Sequence, residues 1–292
     1  MEKHKKAIIA LFTSTILWGS AGVVMKVSLN NIGPFYLLAF RFLAAAIILL
    51  GIFLKRVPKI SKRTWKIGGL IGILLYLEFL FYTLGLQYTT ASKSSFIIGA
   101  YVILVPIAYL LVNQKSPAQS SIVAAFVCMI GVGFVVLDDW DAINIGDLIV
   151  GLSAICYAFH VVLTARLVKG HDPIDVNIVQ ITSAALCAII MAPCMETFPS
   201  QIQQETIISI VYLAIAATIC PYLLSVYGQK YTKTTTAAVI LSFECVVGCI
   251  AAVLVLNDKL TQKMILGAFI MVASFLITEV KIFNRNDQKS IV

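Results

Sequence analysis

Four ionisable side chains stand deep inside otherwise apolar runs of this 292-residue chain: Arg41, Glu78, His160 and Glu244. A charge at the centre of a bilayer costs about 2.5–3.5 kcal/mol on the insertion scale, so such a residue faces a cavity or a partner and marks a candidate functional site. Twelve Leu, Ile or Phe residues lie between positions 67 and 87 around Glu78. At about −0.5 kcal/mol each they carry it into the membrane. A carboxylate held in low dielectric can exchange a proton for a cationic group. Glu78 and Glu244 therefore read either as proton or ammonium sites or as carboxyls hydrogen-bonded to helix ends and hydroxyls. Arg41 has three readings: a partner for Glu78, a bidentate clamp for a substrate carboxylate, or a tie between helices. His160 reads as a proton relay or as an ordinary interhelical hydrogen bond. Lys26 and Glu279 fall nearer the ends of their runs and can snorkel to the surface.

Aromatic side chains accompany these groups: Trp18, Tyr76, Tyr82, Tyr101, Tyr157, Tyr222 and Tyr227. Tyr82 lies one helical turn from Glu78 and can share its face. A cavity walled by such rings suits amino acids or organic cations; packing or lipid-facing rings are the alternative. Pro106, Pro193 and Pro221 interrupt apolar runs, where a missing N–H kinks a helix. Pro106 and Pro221 are the candidate hinge positions. Gly68 and Gly72 form a G-x-x-x-G, which permits close helix contact. All seven cysteines fall in apolar runs, at 128, 156, 187, 194, 220, 245 and 249. An odd number so placed is no disulfide framework, and Cys245 and Cys249 have no His or carboxylate at metal spacing. No metal site and no cofactor is expected.

The elements that must position these residues are membrane helices. Hydrophobic residues make up 60% of the chain, charged residues 12%, and the mean hydropathy is +0.95. Ten apolar stretches, each near the roughly 20 residues needed to cross hydrocarbon, fall near 7–29, 34–54, 67–87, 93–113, 119–137, 147–168, 175–195, 207–228, 235–256 and 263–283. The first runs too long for a signal-peptide core and includes Lys26, so it reads as a retained helix. With the N-terminus in the cytoplasm, 17 Lys and Arg residues fall in inside segments and three (Lys93, Lys259, Lys263) outside. That asymmetry sets orientation, with both termini inside and the acidic stretch Asp138-Asp139-Trp140-Asp141 outside. It also accounts for the net charge of +8 without nucleic acid.

The second five stretches repeat the first five. At an offset of 143, Gly85 meets Gly228, Tyr88-Thr89 meets Tyr231-Thr232, Ile97 meets Ile240, Gln119 meets Gln262 and Ala125-Phe126 meets Ala268-Phe269. At an offset near 139, Pro34 meets Pro173, Ala45 meets Ala184 and Trp18 meets Tyr157. Five is odd, so the second copy enters the bilayer inverted, a plan common among secondary transporters with a midplane site. The expected fold is an all-α membrane protein of ten transmembrane helices in two inverted five-helix repeats, 1–140 and 141–292. Loops are short, so the site lies among the helices. Glu78 meets Pro221, and Tyr101 meets Glu244. The repeat breaks at both glutamates, where an asymmetric ligand would lie.

These residues resemble the EamA-type family of the drug/metabolite transporter superfamily. The resemblance rests on Leu17-Trp18-Gly19-Ser20 with Lys26, on Pro34-Phe35 with Arg41-Phe42, on Gly85-Leu86-Gln87-Tyr88-Thr89-Thr90-Ala91-Ser92 continuing to Val105-Pro106, and on Phe243-Glu244 as the start of a Leu-Glu-Pro-like motif. Cys245 stands where that motif has proline, and Asn257-Asp258 replaces a common Gly-Glu. The resemblance implies ten helices, cytoplasmic termini and a central cavity lined by helices 1, 3, 4, 6, 8 and 9. It makes Glu244 a family-wide residue and leaves Glu78 as the more particular one. The implied function is secondary transport of a small metabolite across the plasma membrane by alternating access. An amino-acid or related exporter, with protons as the coupling ion, fits best. An organic-cation or multidrug exporter is the alternative. An organophosphate exchanger would need more deep Lys or Arg, and a membrane-embedded enzyme would need a catalytic cluster. No Walker A sequence is present for ATP-driven pumping. The expected partners are a small-molecule substrate, the lipid bilayer and protons, with the chain a monomer or homodimer.

Overall fold

The computed structural model describes residues 2–116, 119–136, 144–241 and 243–282, and all regular structure among them is helical. In chain order the elements are α1 (Glu2–Ser28), α2 (Pro34–Ile52), α3 (Lys62–Leu86), α4 (Ala91–Gly99), α5 (Tyr101–Asn113), α6 (Gln119–Val136), α7 (Ile145–Val168), α8 (Pro173–Met195), α9 (Gln204–Ala214), α10 (Cys220–Tyr231), α11 (Thr234–Leu241), α12 (Glu244–Leu256) and α13 (Gln262–Ile282). The acidic stretch at 138–141, the junction of the two repeats, and the cations at 285 and 289 lie outside the described residues; so do the side chains of Glu279 and Lys281.

Local sequence starts and stops these helices. Proline occupies the first turn of α2 and α8, where its missing N–H costs nothing. Ser61 and Thr90 cap α3 and α4, and Asn144 with Asp147 forms a capping box on α7. α5 and α12 end alike, on Gln114 and Asn257, the two non-glycine residues with positive φ among those described. These lie 143 residues apart. α4 and α5 meet in a break at Ala100, and α11 and α12 are interrupted just before Glu244.

Among the described residues seven stretches are long and apolar enough to cross a bilayer: α1, α2, α3, Ala91–Asn113, α7, α8 and Gln204–Tyr231. Ile122–Gly131, Glu244–Leu256 and Gln262–Ser274 are shorter apolar helices among the described residues. The break before Glu244 is what shortens the second of these. The perimeter is apolar: Ile9, Ile16, Ile47, Leu111, Phe126, Leu254 and Phe269 are exposed. The interior holds polar groups, with Arg41, Asn177 and Gln180 fully buried. A soluble protein has the reverse arrangement; this one suits a lipid surround.

The two halves interleave. α1 packs on α10 and α12, α3 on α7 and α8, α2 on α8, and α6 on α13. Gly68 and Gly72 let α3 approach α8 closely: a methyl built on Gly72 would sit 2.5 Å from the Gln180 carbonyl oxygen. Because α1 runs the length of the bundle, its contacts define two faces. Near its start, His4 Nδ1 lies 3.1 Å from the Tyr231 carbonyl oxygen. At its other end, Lys26 donates to the carbonyls of Leu86 (2.6 Å) and Thr89 (2.8 Å). Lys26 is thus tied to the α3–α4 link, where the sequence alone allowed it to snorkel.

Candidate functional site

Between these faces, α1, α3, α4, α7, α10 and α12 enclose a cavity of about 50 Å³, room for a few water molecules. Glu78, Glu244, Tyr82, Trp18 and Tyr157 line it, together with Phe79, Ser153 and Tyr222. Five of the residues singled out from the sequence are therefore brought together. Glu244 stands in the first turn of α12, where the helix N-terminus favours a negative group. Glu78 comes from the middle of α3; both carboxylates are at least nine-tenths buried.

Tyr101, Arg41 and His160 stand one layer behind. Tyr101 stacks on Tyr157 with ring centroids 4.2 Å apart, and its hydroxyl donates to the Ala238 carbonyl at 2.6 Å. That carbonyl lies in the last turn of α11. His160 places Nδ1 4.0 Å from Glu78 Oε2 and Nε2 3.0 Å from Gln180 Oε1.

Arg41 is tied to the α9–α10 junction. A π-helical turn, Ile215–Ile219, precedes Pro221. Proline has no N–H to give the carbonyl four residues back, which is that of Ala217. Arg41 Nη2 donates to that oxygen at 3.0 Å, and Trp18 Nε1 donates to it at 3.1 Å. Arg41 Nε donates to Thr218 Oγ1 at 2.8 Å, and the guanidinium lies 4.2 Å from the Phe79 ring centroid. Of its three readings, the tie between helices describes this geometry. Pro106 lies buried within a continuous α5, whereas Pro221 works through the acceptor it frees.

Tyr222 is among the aromatic residues the sequence offers for the cavity wall, whereas Phe79, Ser153 and Ser14 are not singled out by it. Tyr222 packs edge-on to Trp18 at 4.8 Å and to Phe79 at 6.4 Å. Phe79 precedes Tyr222 by 143 residues, so the match of aromatics between the repeats is the signal that points to it. Ser153 Oγ donates to the Glu78 carbonyl at 2.7 Å, and Ser14 Oγ to the Pro221 carbonyl at 3.0 Å. The serines are 139 apart and their acceptors 143 apart.

The same reciprocity holds at the bundle's two faces. A methyl on Gly85 would sit 2.7 Å from the Gly146 carbonyl oxygen and 2.9 Å from the Val150 nitrogen. A methyl on Gly228 would strike the Leu11 side chain and sit 3.1 Å from the Ala7 carbonyl oxygen. Gly85 and Gly228 differ by 143, and Ala7 with Leu11 precedes Gly146 with Val150 by 139. One contact closes the face where α1 ends, the other the face where it begins. Among the described residues no three His, Cys, Asp or Glu side chains gather as a metal site.

A bundle of apolar-surfaced helices around a small, acid-bearing central cavity is the form of a membrane transport protein. The sequence profile of the EamA-like transporter family matches this chain twice, over residues 5–137 and 144–279, and the chain belongs to that family. An uncharacterized transporter of Archaeoglobus fulgidus is 29% identical over 96% of this chain and 88% of its own length. The uncharacterized transporter YoaV of Bacillus subtilis is 23% identical over 91% of this chain and 94% of its own. A crystal structure of a protein with 16% identity overlays with a TM-score of 0.73, covering 94% of this chain and 98% of that one; at that identity it speaks for the fold alone. The chain is a multi-pass membrane protein of the drug/metabolite transporter type.

Proposed function

We propose that this protein is a secondary active exporter of a small amine-bearing metabolite, an amino acid or a close relative. It works in the plasma membrane by alternating access, with both termini in the cytoplasm. The observation that carries the reading is the reciprocity of the contacts around the cavity. Gly85 against Gly146 and Val150 closes one face; Gly228 against Ala7 and Leu11 closes the other. Two equivalent closures, related by the offsets of the repeat, are what ten helices in two inverted copies require. The shorter helices α6, α12 and α13 complete the ten when α12 is read with α11. Opening one closure while the other holds exposes the cavity to one side at a time.

The cavity's chemistry supports an amine. Two carboxyl groups and five aromatic side chains face it, while Arg41 is occupied at the α9–α10 junction. A phosphate would find no cation there. Exchange of protons for the amine at Glu78 and Glu244 is the coupling this arrangement offers.

Proteoliposome flux of amino acids, amines, nucleosides and organophosphates, measured at several pH values, tests the reading. Amine-bearing solutes should be carried, and Glu78→Gln and Glu244→Gln should each remove most of the pH dependence. Carriage of organophosphates alone, or an unchanged pH profile in both variants, would overturn it.

A further inference from the structure

The two groups that face each other behind the cavity wall, Glu78 Oε2 and His160 Nδ1, are buried and have no hydrogen-bond partner in the protein. They lie 4.0 Å apart. Such atoms are costly unless something occupies the space between them. The other nitrogen of the ring is engaged: Gln180 Oε1 is 3.0 Å from His160 Nε2, and Gln180 Nε2 in turn donates to Asn177 Oδ1 at 2.8 Å. Gln180 and Asn177 are fully buried. With its amide nitrogen given to Asn177, Gln180 presents an oxygen to the ring. An oxygen can only accept, so His160 carries its hydrogen on Nε2 and turns a bare lone pair on Nδ1 toward Glu78.

We infer that Glu78 and His160 hold one proton between them when the site is empty, and that Gln180, itself held by Asn177, is the positioning residue that makes this possible. The proton leaves the Glu78 oxygen as the O–H bond breaks and the Nδ1–H bond forms, and returns by the reverse step. The pair is neutral overall in either form, so it adds no net charge of its own to the membrane interior. An arriving ammonium group displaces the proton, which passes to water on the side to which the cavity is then open, and the carboxylate left behind faces the ammonium, so the charge of the site is unchanged. The 4.0 Å gap is closed by a small rotation of the carboxyl or by one bridging water. The remaining titratable groups around the pair are Arg41 from α2, Tyr101 from α5, Cys156 and Tyr157 from α7, Tyr222 from α10 and Glu244 from α12. None of these has a hydrogen bond to either bare atom.

The inference rests on the proton-coupled reading for its use, but its test does not. The chain has only three histidines, so nitrogen-15 histidine spectra of the whole protein in nanodiscs can be assigned by comparison with His160→Gln. The expected spectrum shows His160 protonated on Nε2, with an Nδ1 resonance that moves in Glu78→Gln. Gln180→Met, which keeps the volume and loses the acceptor, should mix the two tautomers; Gln180→Glu, which keeps an acceptor oxygen, should restore the wild-type form. In flux, Gln180→Met should move the pH midpoint by about one unit at unchanged substrate affinity. A neutral ring with its only proton on Nδ1 and Nε2 bare, as would follow if both amides were turned over, or an Nδ1 resonance indifferent to Glu78→Gln, overturns the inference. Flux without pH dependence in the wild type would instead overturn the coupling reading and leave the spectra to judge the pair.

Discussion

The two glycine closures share a geometry and differ in chemistry. At Gly85 the backbones of α3 and α7 meet among polar groups. Lys93 pairs with Asp147 at 2.7 Å, with both side chains largely buried; Thr89 donates to the same carboxylate at 2.6 Å; Ser92 donates to Asp258 at 2.8 Å. At Gly228 the neighbours are the Leu11 side chain and the Ala7 backbone, with His4 at the Tyr231 carbonyl the polar contact beside it. Close packing alone suffices to hold a closure, because small residues let backbones approach. The ion pair does something further at one face. A buried pair gains its stability from mutual proximity and is costly to separate, so it acts as a latch. In the orientation proposed above, the latched closure would be the outer one and the apolar closure the inner one, and the proposed exporter would rest shut to the outside and open inward with less resistance.

The strongest way to break this comparison is to make each closure impossible in turn. Gly85→Leu and Gly228→Leu force a branched side chain into backbone contact, an overpacking cost of about 1–3 kcal/mol or more. Flux should fall about tenfold or further in both. In a background lacking the seven native cysteines, single reporter cysteines beside the cavity should become more reactive from outside in Gly85→Leu and from inside in Gly228→Leu. Reactivity rising on the same side in both variants would mean the closures are not a pair.

The latch is the next target. Asp147→Asn removes one partner of the ion pair, and breaking a buried pair costs about 3–5 kcal/mol. Outer-face reactivity should rise with the inner face unchanged. Added salt should not reproduce the effect, since buried pairs are poorly screened. An equal change at both faces would assign Asp147 to general stability, through its place in the α7 capping box.

The smallest effect sharpens the equivalence of the halves. Ser14→Ala and Ser153→Ala each delete one hydrogen bond to a mid-helix carbonyl. Each should cost about 0.5–1.5 kcal/mol in unfolding experiments, with similar values and additive effects in the double variant. A large difference between them would mark one half as the more rigid.

Several of these residues were legible in the chain and several were not. Glu78 and Glu244 stood out because a carboxylate in an apolar run has few other places to go. Trp18 and Tyr157 stood out as a matched pair. Gly85 and Gly228 were visible as a match, but their role was not: each meets a residue from the other half, and the two halves of each contact follow different offsets, 143 and 139. Arg41 admitted three readings because the sequence does not say that it reaches the Ala217 carbonyl that Pro221 leaves free. Nothing in the sequence singles out Gln180 or Asn177, since only the fold brings Gln180, bonded to Asn177, against His160.

By itself the sequence determined the environment and the plan. Hydropathy marks the apolar runs, and self-similarity declares two copies; each is a property of residue order and water-to-lipid transfer. The tertiary structure decided which helix meets which. Contact between distant spans depends on packing of surfaces 60 to 230 positions apart, as in Lys26 with Leu86 or His4 with Tyr231. No local pattern encodes such distances. That is why the same repeat yields a polar contact at one face, an apolar one at the other, and a single Glu78–His160 contact that joins one half to the other.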